Sequence, residues 1–192
     1  MAKKYEFKPD KPRSGTMSKL FLTKKQRSAL LKWSLYGLIL LVLSVLQDVL
    51  LSRFRIFNAT TELVPCGIFL ICLAEGLEGG SVFSLVASAL YLFSGTAPGY
   101  YAIVYITFLC VLVTFFRQSF LQKGFLADML CTGAAVAIYT LAVFFTGVFL
   151  EYTMLSRIGS HLVTAVLSIA PAPLLYPVVQ GVRTVGGDLW KE

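Results

Sequence analysis

The chain has few of the residues that catalysis and metal binding require. Its 192 residues include one histidine and four cysteines, Cys66, Cys72, Cys110 and Cys131, which form no CxxC pair. Isolated cysteines in apolar segments are typical of core packing, and a lone histidine provides neither a metal site nor a triad. A Walker loop, a nucleophile elbow and paired carboxylates within one predicted helix are also missing from the sequence. These features predict a protein that is not an enzyme and binds no cofactor.

Charge is also scarce. Only 14% of the residues are charged, 57% are hydrophobic, and the mean hydropathy is +0.76. This composition excludes an ordinary soluble domain and predicts an all-α integral membrane protein. The length leaves room for one compact helix bundle.

The positive charge is concentrated at the N-terminus. Ten of the 17 lysines and arginines lie in residues 1–32. Such a cluster beside an apolar run predicts a cytoplasmic anchor, and this interpretation is favoured over a nucleic-acid-binding arm. Pro9, Pro12 and Gly15 predict that the tail, residues 1–28, is mostly disordered. A membrane domain over 29–183 and a short cytoplasmic tail over 184–192 follow.

The apolar segment at 63–93 has two possible interpretations, one long helix or a hairpin. Each arm has about 13–15 residues, which is short for a bilayer core of about 30 Å. Because Glu75 and Glu78 would be costly in a lipid-exposed helix, a hairpin that turns at Glu78–Gly80 is favoured. A second turn follows at Gly95, Pro98 and Gly99. The predicted transmembrane helices cover about 29–51, 63–77, 81–93, 99–116, 125–150 and 161–182.

The distribution of positive charge supports six helices. Six crossings with a cytoplasmic N-terminus leave 14 lysines and arginines inside and 3 outside, whereas one helix over 63–93 leaves 11 and 6. The positive-inside rule therefore predicts six helices in the bacterial cytoplasmic membrane, with both termini in the cytoplasm.

A stripe of small residues on the third helix is a candidate contact surface. Gly80, Ser84 and Ser88 recur every four residues and would allow another helix to approach closely. Packing within the bundle is favoured over a groove for a partner helix, and the partner groove is retained as a hypothesis.

Three prolines interrupt the last helix. Pro171, Pro173 and Pro177 must break backbone hydrogen bonds. Such a break lines a ligand cavity in some membrane proteins and is a structural kink in others, and both alternatives remain open.

Ionisable and polar side chains at membrane depth are functional candidates. Gln47 and Asp48 lie in the last turns of the first helix, where Asp48 would pair with Arg53 or bond to the helix end. The single histidine, His161, begins the sixth helix. A further set is predicted to form a charge network at the cytoplasmic face: Glu75, Glu78, Arg117, Lys123 and Asp128.

Several of these features occur in a familiar order. Gln47 ends a leucine-rich helix, a short basic loop follows, Pro65 opens an apolar arm, and a glycine-rich hairpin leads to Ser94-Gly95-x-x-Pro98-Gly99. From about Val45 to Phe116 the chain resembles the rod shape-determining protein MreD family. Cys66 stands where that family has an aspartate after the proline, and Tyr91 stands where it tends to have another, so no polar role is carried over to either position.

The resemblance implies a non-enzymatic scaffold of the bacterial elongation machinery. Members of the family bind the bitopic protein MreC and help to couple MreB filaments to peptidoglycan synthesis. The expected partners are therefore an MreC-like protein, MreB, the complex of RodA with a class B penicillin-binding protein, and the lipid bilayer.

The main alternative is the substrate-binding S component of an energy-coupling factor vitamin transporter. Such proteins also have six helices and about this length. Their first helix usually carries an alanine-x-x-x-alanine stripe that docks the transport module, and the segment LLKWSLYGLILLVLSVLQDVLL has none. The sequence therefore favours the scaffold.

Overall fold

The computed structural model describes residues 24–51, 59–121 and 124–185. Residues 1–23 of the predicted disordered tail, Arg53 and Lys123 lie outside these residues, whereas residues 24–28 of that tail are part of the first helix. Most of the predicted C-terminal tail also lies outside the described residues. Within the described ranges the regular elements are helices, and seven of them are α-helices: α1 Lys24–Val45, α2 Leu63–Glu75, α3 Leu77–Phe93, α4 Tyr101–Phe120, α5 Phe125–Phe149, α6 Ile158–Ile169 and α7 Ala172–Val185.

Helix α2 forms the centre of the bundle. Twelve of its 13 residues are buried, from Leu63 to Ala74, and it packs against all six other helices. Its apolar residues occupy every side of the helix, which is the pattern of a helix that is surrounded. Other helices of the chain therefore cover α2 on nearly every side.

Helices α2 and α3 form the predicted hairpin, but the turn is at Gly76 and not at Gly79. Gly76 has φ of +85°, a conformation that glycine adopts without strain. Gly79 and Gly80 lie in the first turns of α3. A Cβ on Gly80 would lie 2.8 Å from the carbonyl oxygen of Cys72, so glycine is needed there for close helix packing.

The predicted sixth helix is two helices. Helices α6 and α7 are separated by Ala170 and Pro171, and their axes differ by 41°. Proline removes a backbone donor and clashes with the preceding turn, which explains the break. Pro177 lies inside α7.

Three helical segments are long and apolar enough to cross a membrane: Arg27–Val49, Tyr101–Phe120 and Phe125–Phe149. The bent pair α6–α7 is a fourth candidate. Since α2 and α3 are shorter apolar helices, the described residues support a multi-pass membrane protein with three or four such spans.

Candidate functional site

The two ends of the bundle carry different chemistry. One end, called the cavity end, contains the start of α2, the start of α4 and the start of α6. The other, called the ion-pair end, contains Lys32, Glu75, Arg117 and Asp128. The helices between them present apolar side chains to the outside.

Gln47 at the cavity end is a helix cap. Its Oε1 accepts hydrogen bonds from the backbone N–H groups of Leu63 at 2.8 Å and Val64 at 3.1 Å. These are donors that the first turn of α2 cannot satisfy within the helix. A π-helical turn at Leu46–Leu51 carries Gln47, which is buried, and Asp48, which is half-buried. The side chain of Gln47 therefore has a structural task that its position in the sequence did not reveal.

A polar cavity of about 350 Å³ lies between α4, α5, α6 and the residue before α2. Its lining combines hydroxyl groups, aromatic rings and one carboxylate. Twelve residues contribute: Thr60, Glu62, Pro98, Tyr101, Thr140, Val143, Gly147, Tyr152, Thr153, Ser160, His161 and Thr164.

Glu62 is the acidic group of this cavity. Its backbone N–H donates to the Ser168 hydroxyl at 2.8 Å, which anchors the start of α2 on α6. Its carboxylate oxygen Oε2 is buried and has no hydrogen-bond partner. Burial raises the pKa of Glu62 from 4.5 to about 7, because the charged form loses its hydration.

The other polar groups of the lining mostly serve the fold. The Tyr101 hydroxyl donates to the Pro98 carbonyl at 3.1 Å, and the Thr140 hydroxyl donates to the Val136 carbonyl at 3.0 Å. The ring of His161 packs against Phe144 in a tilted arrangement, with ring centroids 4.8 Å apart. No lysine or arginine occurs among the twelve lining residues, so Glu62 sets the charge of the cavity.

The ion-pair end is held together by two buried pairs. Lys32 Nζ donates to Glu75 Oε2 at 2.5 Å, and the Tyr36 hydroxyl donates to Glu75 Oε1 at 2.6 Å. The Lys32 and Glu75 side chains are only 5% and 2% exposed. These contacts join α1 to α2, and they satisfy both carboxylate oxygens.

The second pair joins α4 to α5. Arg117 Nε lies 2.6 Å from Asp128 Oδ1, and Arg117 Nη1 donates to the Leu73 carbonyl of α2 at 3.0 Å. The predicted network therefore exists in part. Arg117 and Asp128 meet as expected, Glu75 pairs with Lys32 instead, and Glu78 is exposed.

The small-residue stripe of α3 faces the interior. Gly80, Ser84 and Ser88 are all buried, and Ser88 Oγ lies 3.4 Å from the Thr107 hydroxyl of α4. Close packing against α2 and α4 within the chain accounts for the stripe. It leaves no groove for a partner helix at these three residues.

The predicted turn residues have local structural tasks. Pro65 lies in the first turn of α2, where its missing N–H costs no helical bond. Gly95 has φ of +78° in the turn after α3, and Pro98 and Gly99 lead into α4. The three helix-breaking prolines are absent from the lining of the polar cavity. Helix α6 contributes Ser160, His161 and Thr164 to that lining instead.

An apolar groove lies between α1 and α3. It has a volume of about 230 Å³ and exposes small residues of α1, namely Gly37 and Ser44. A Cβ on Gly37 would meet no atom within 4 Å. Trp33 and Phe83, whose ring centroids are 5.7 Å apart, join the same two helices nearer the ion-pair end.

Sequence reasoning missed two of the most informative residues. The predicted helix bounds leave Glu62 in the loop before the second helix, and Lys32 is one of ten basic residues in the segment 1–32. A signal existed for each: Glu62 directly precedes a continuous apolar run, and Lys32 lies within one. Neither signal shows that these side chains are buried, since that depends on which helices pack around them.

No family model matches the chain, and the comparisons with curated proteins and with solved structures found no match either. The described residues contain no group of three or more His, Cys, Asp or Glu side chains that could hold a metal ion. The four cysteines are buried free thiols, which confirms their predicted place in the core.

Proposed function

We propose that this chain is a non-enzymatic scaffold of the bacterial elongation machinery, similar to the MreD family, that binds the membrane helix of an MreC-like partner. One observation supports this most directly. The residues that carry the resemblance shape the bundle: Gln47 caps α2, Pro65 lies in its first turn, and Gly95 supplies the positive φ of a turn. A chain that resembles the family at such positions is expected to share its fold and its role as a rigid platform.

The proposal includes six membrane crossings with both termini in the cytoplasm. In this arrangement α2 and α3 are the second and third crossings, the bent pair α6–α7 is the sixth, and the ion-pair end faces the cytoplasm. A cysteine introduced at Ser119, near the end of α4, should react with a membrane-impermeant maleimide only after cells are opened. Labelling of intact cells would contradict the topology.

The groove between α1 and α3 is the proposed contact surface for the partner helix. Its lining is mostly apolar, and Gly37 and Ser44 allow close approach of a second backbone. Helix α1 is also long enough to accompany a single spanning helix along its whole length. The MreC-like partner, anchored by one membrane helix, is the occupant that fits a groove of this shape.

Gly37→Leu tests this surface. Leucine would fill the groove with little effect on folding, because nothing lies within 4 Å of the added Cβ. Gly181→Leu is the matched control, since Gly181 is equally open and lies on α7. We expect co-purification of the MreC-like protein to fall at least about tenfold for Gly37→Leu alone, with unchanged thermal stability. Equal recovery with both variants would contradict the groove.

The polar cavity favours the transporter as the second candidate function, because an S component must hold a small molecule. The two functions predict different phenotypes. Depletion of a scaffold should round rod-shaped cells, whereas loss of an S component should abolish ATP-dependent uptake of a vitamin and leave shape unchanged. Genes for MreB- and MreC-like proteins beside this one would favour the scaffold, and genes for transporter ATPases the second candidate.

A further inference from the structure

We propose that the polar cavity at the cavity end is a binding site for a small, water-soluble organic ammonium compound, which Glu62 recognises through its carboxylate. The inference depends on the cavity alone and goes beyond the scaffold role. A scaffold that senses a ligand and an S component that carries one would both have such a site.

The unused carboxylate oxygen is the first argument. Glu62 Oε2 is buried without a hydrogen-bond partner, although it lines an open space of about 350 Å³. A buried polar atom without a partner costs free energy in the empty protein. A ligand that donates a hydrogen bond to Oε2 removes this cost, and a positively charged donor also neutralises the carboxylate.

The charge of the lining is the second argument. Glu62 is the one acidic residue of the lining, and none of the twelve is a lysine or arginine that would neutralise it. Arg157, three positions before Ser160, is exposed and is not part of the lining, and its backbone carbonyl lies 3.1 Å from His161 Nδ1. The described lining therefore repels anions and attracts cations.

The remaining lining suits an organic cation better than a bare metal ion. The rings of Tyr101, Tyr152 and His161 offer faces for a cation or an apolar body. Hydroxyl groups of Thr140, Ser160 and Thr164 remain available as acceptors for further donors. A single carboxylate among rings and hydroxyls lacks the oxygen ligands that calcium or magnesium requires. A volume of about 350 Å³ is in the range of small-molecule sites.

Access is from the end of the bundle. Tyr152, at the mouth, is 83% exposed, whereas Thr140 and Thr164 lie deep in the cavity and are buried. A ligand would enter from water with its ammonium group first, and its other end would then lie near Tyr152.

The test uses the full chain in phosphatidylcholine nanodiscs at pH 8 and three probes of one shape: benzylammonium, benzyl alcohol and benzoate. Ligand-observed NMR titrations measure each Kd, with empty nanodiscs to subtract partition into lipid. We expect benzylammonium to bind at least about tenfold more tightly than benzyl alcohol, and benzoate not to bind. Equal affinities for the three probes would overturn the proposal.

Glu62→Gln identifies the group responsible. It retains the shape and removes the charge, so the preference for benzylammonium should fall at least about tenfold. Glu151→Gln is the matched control, because Glu151 lies at the same end of the bundle but outside the lining. A preference that survives in Glu62→Gln, or one lost equally in Glu151→Gln, would overturn the assignment.

Thr164→Leu provides a second route if Glu62→Gln does not fold. It fills the cavity from α6 without changing a charge, and it should abolish binding of benzylammonium, whereas Gly181→Leu should not. Unchanged binding in Thr164→Leu would overturn the proposal.

Repeating the titration in nanodiscs with phosphatidylethanolamine separates two sources of the ammonium group. Weaker benzylammonium binding there would identify a lipid headgroup as the competing occupant, contrary to the water-soluble ligand proposed, and equal binding supports that ligand.

Discussion

Gln47 Oε1 lies 2.8 Å from the backbone nitrogen of Leu63, so a side chain at the end of the first span caps the central helix of the bundle. Sixteen positions separate the two residues along the chain. The contact sets where α2 begins relative to α1. The same oxygen also accepts from Val64, so one substitution removes two hydrogen bonds.

Gln47→Leu should lower the free energy of unfolding by about 1–3 kcal/mol, because buried N–H groups at the start of α2 would lose their acceptor. Thermal or denaturant unfolding in detergent measures the loss. Gln118→Leu is the control, since Gln118 is exposed on α4. Similar stability of the two variants would mean that water replaces the cap.

Removal of one member of the Arg117–Asp128 pair should destabilise the protein more than removal of both. Arg117→Met or Asp128→Leu alone leaves a buried charge, at a cost of about 3–5 kcal/mol. The double variant leaves none, and we expect it to recover at least half of that loss. A double-mutant cycle of unfolding free energies makes the comparison. Additive losses would show that the two side chains act independently.

Gly80→Ala should cost about 1–3 kcal/mol of stability, since the new Cβ would lie 2.8 Å from the Cys72 carbonyl oxygen, which belongs to the backbone of α2. Gly181→Ala, in an open position of α7, should be neutral or stabilising by up to about 1 kcal/mol. Melting temperatures of the two variants provide the measurement. A Gly80→Ala variant as stable as the wild type would show that the α2–α3 hairpin opens easily.

The stability of the protein should fall as the pH rises from about 4.5 to about 7. Burial raises the pKa of Glu62 from 4.5 to about 7, so the folded chain binds this proton more tightly than the unfolded chain in that window. Below this pH window Glu62 is protonated in both the folded and the unfolded chain, and above it Glu62 is ionised in both. The contribution of Glu62 to the pH dependence of stability is therefore confined to the window. Glu62→Gln should therefore match the wild type at pH 4.5 and exceed it at pH 8 by about 1–3 kcal/mol.

Melting temperatures across this pH range, with Glu151→Gln as the control, test the assignment to Glu62. The control should keep the pH slope of the wild type. If Glu62→Gln kept that slope as well, another group would be responsible for it.

The sequence by itself determined the helical segments and the class of protein. Long apolar runs, scarce charge and a basic N-terminal segment are local properties, and each predicted helix overlaps a helical segment of the structure, although the sixth is divided in two. The sequence also predicts the break at Pro171, because proline changes the hydrogen bonding of the backbone around it. The position of the hairpin turn could not be predicted, since Gly76, Gly79 and Gly80 all permit a turn, and only the tertiary structure, in which Gly80 packs against Cys72, shows that Gly76 makes it.

The tertiary structure decided which polar groups meet. Glu75 pairs with Lys32, 43 positions away, and not with Arg117, and Glu62 contacts Ser168 across 106 positions. Such pairings depend on which helices are neighbours, and apolar helices that all fit the same bilayer carry little sequence information about their order around a bundle. The cavity is a consequence of that order. Four elements surround it, and no one of them reveals it alone.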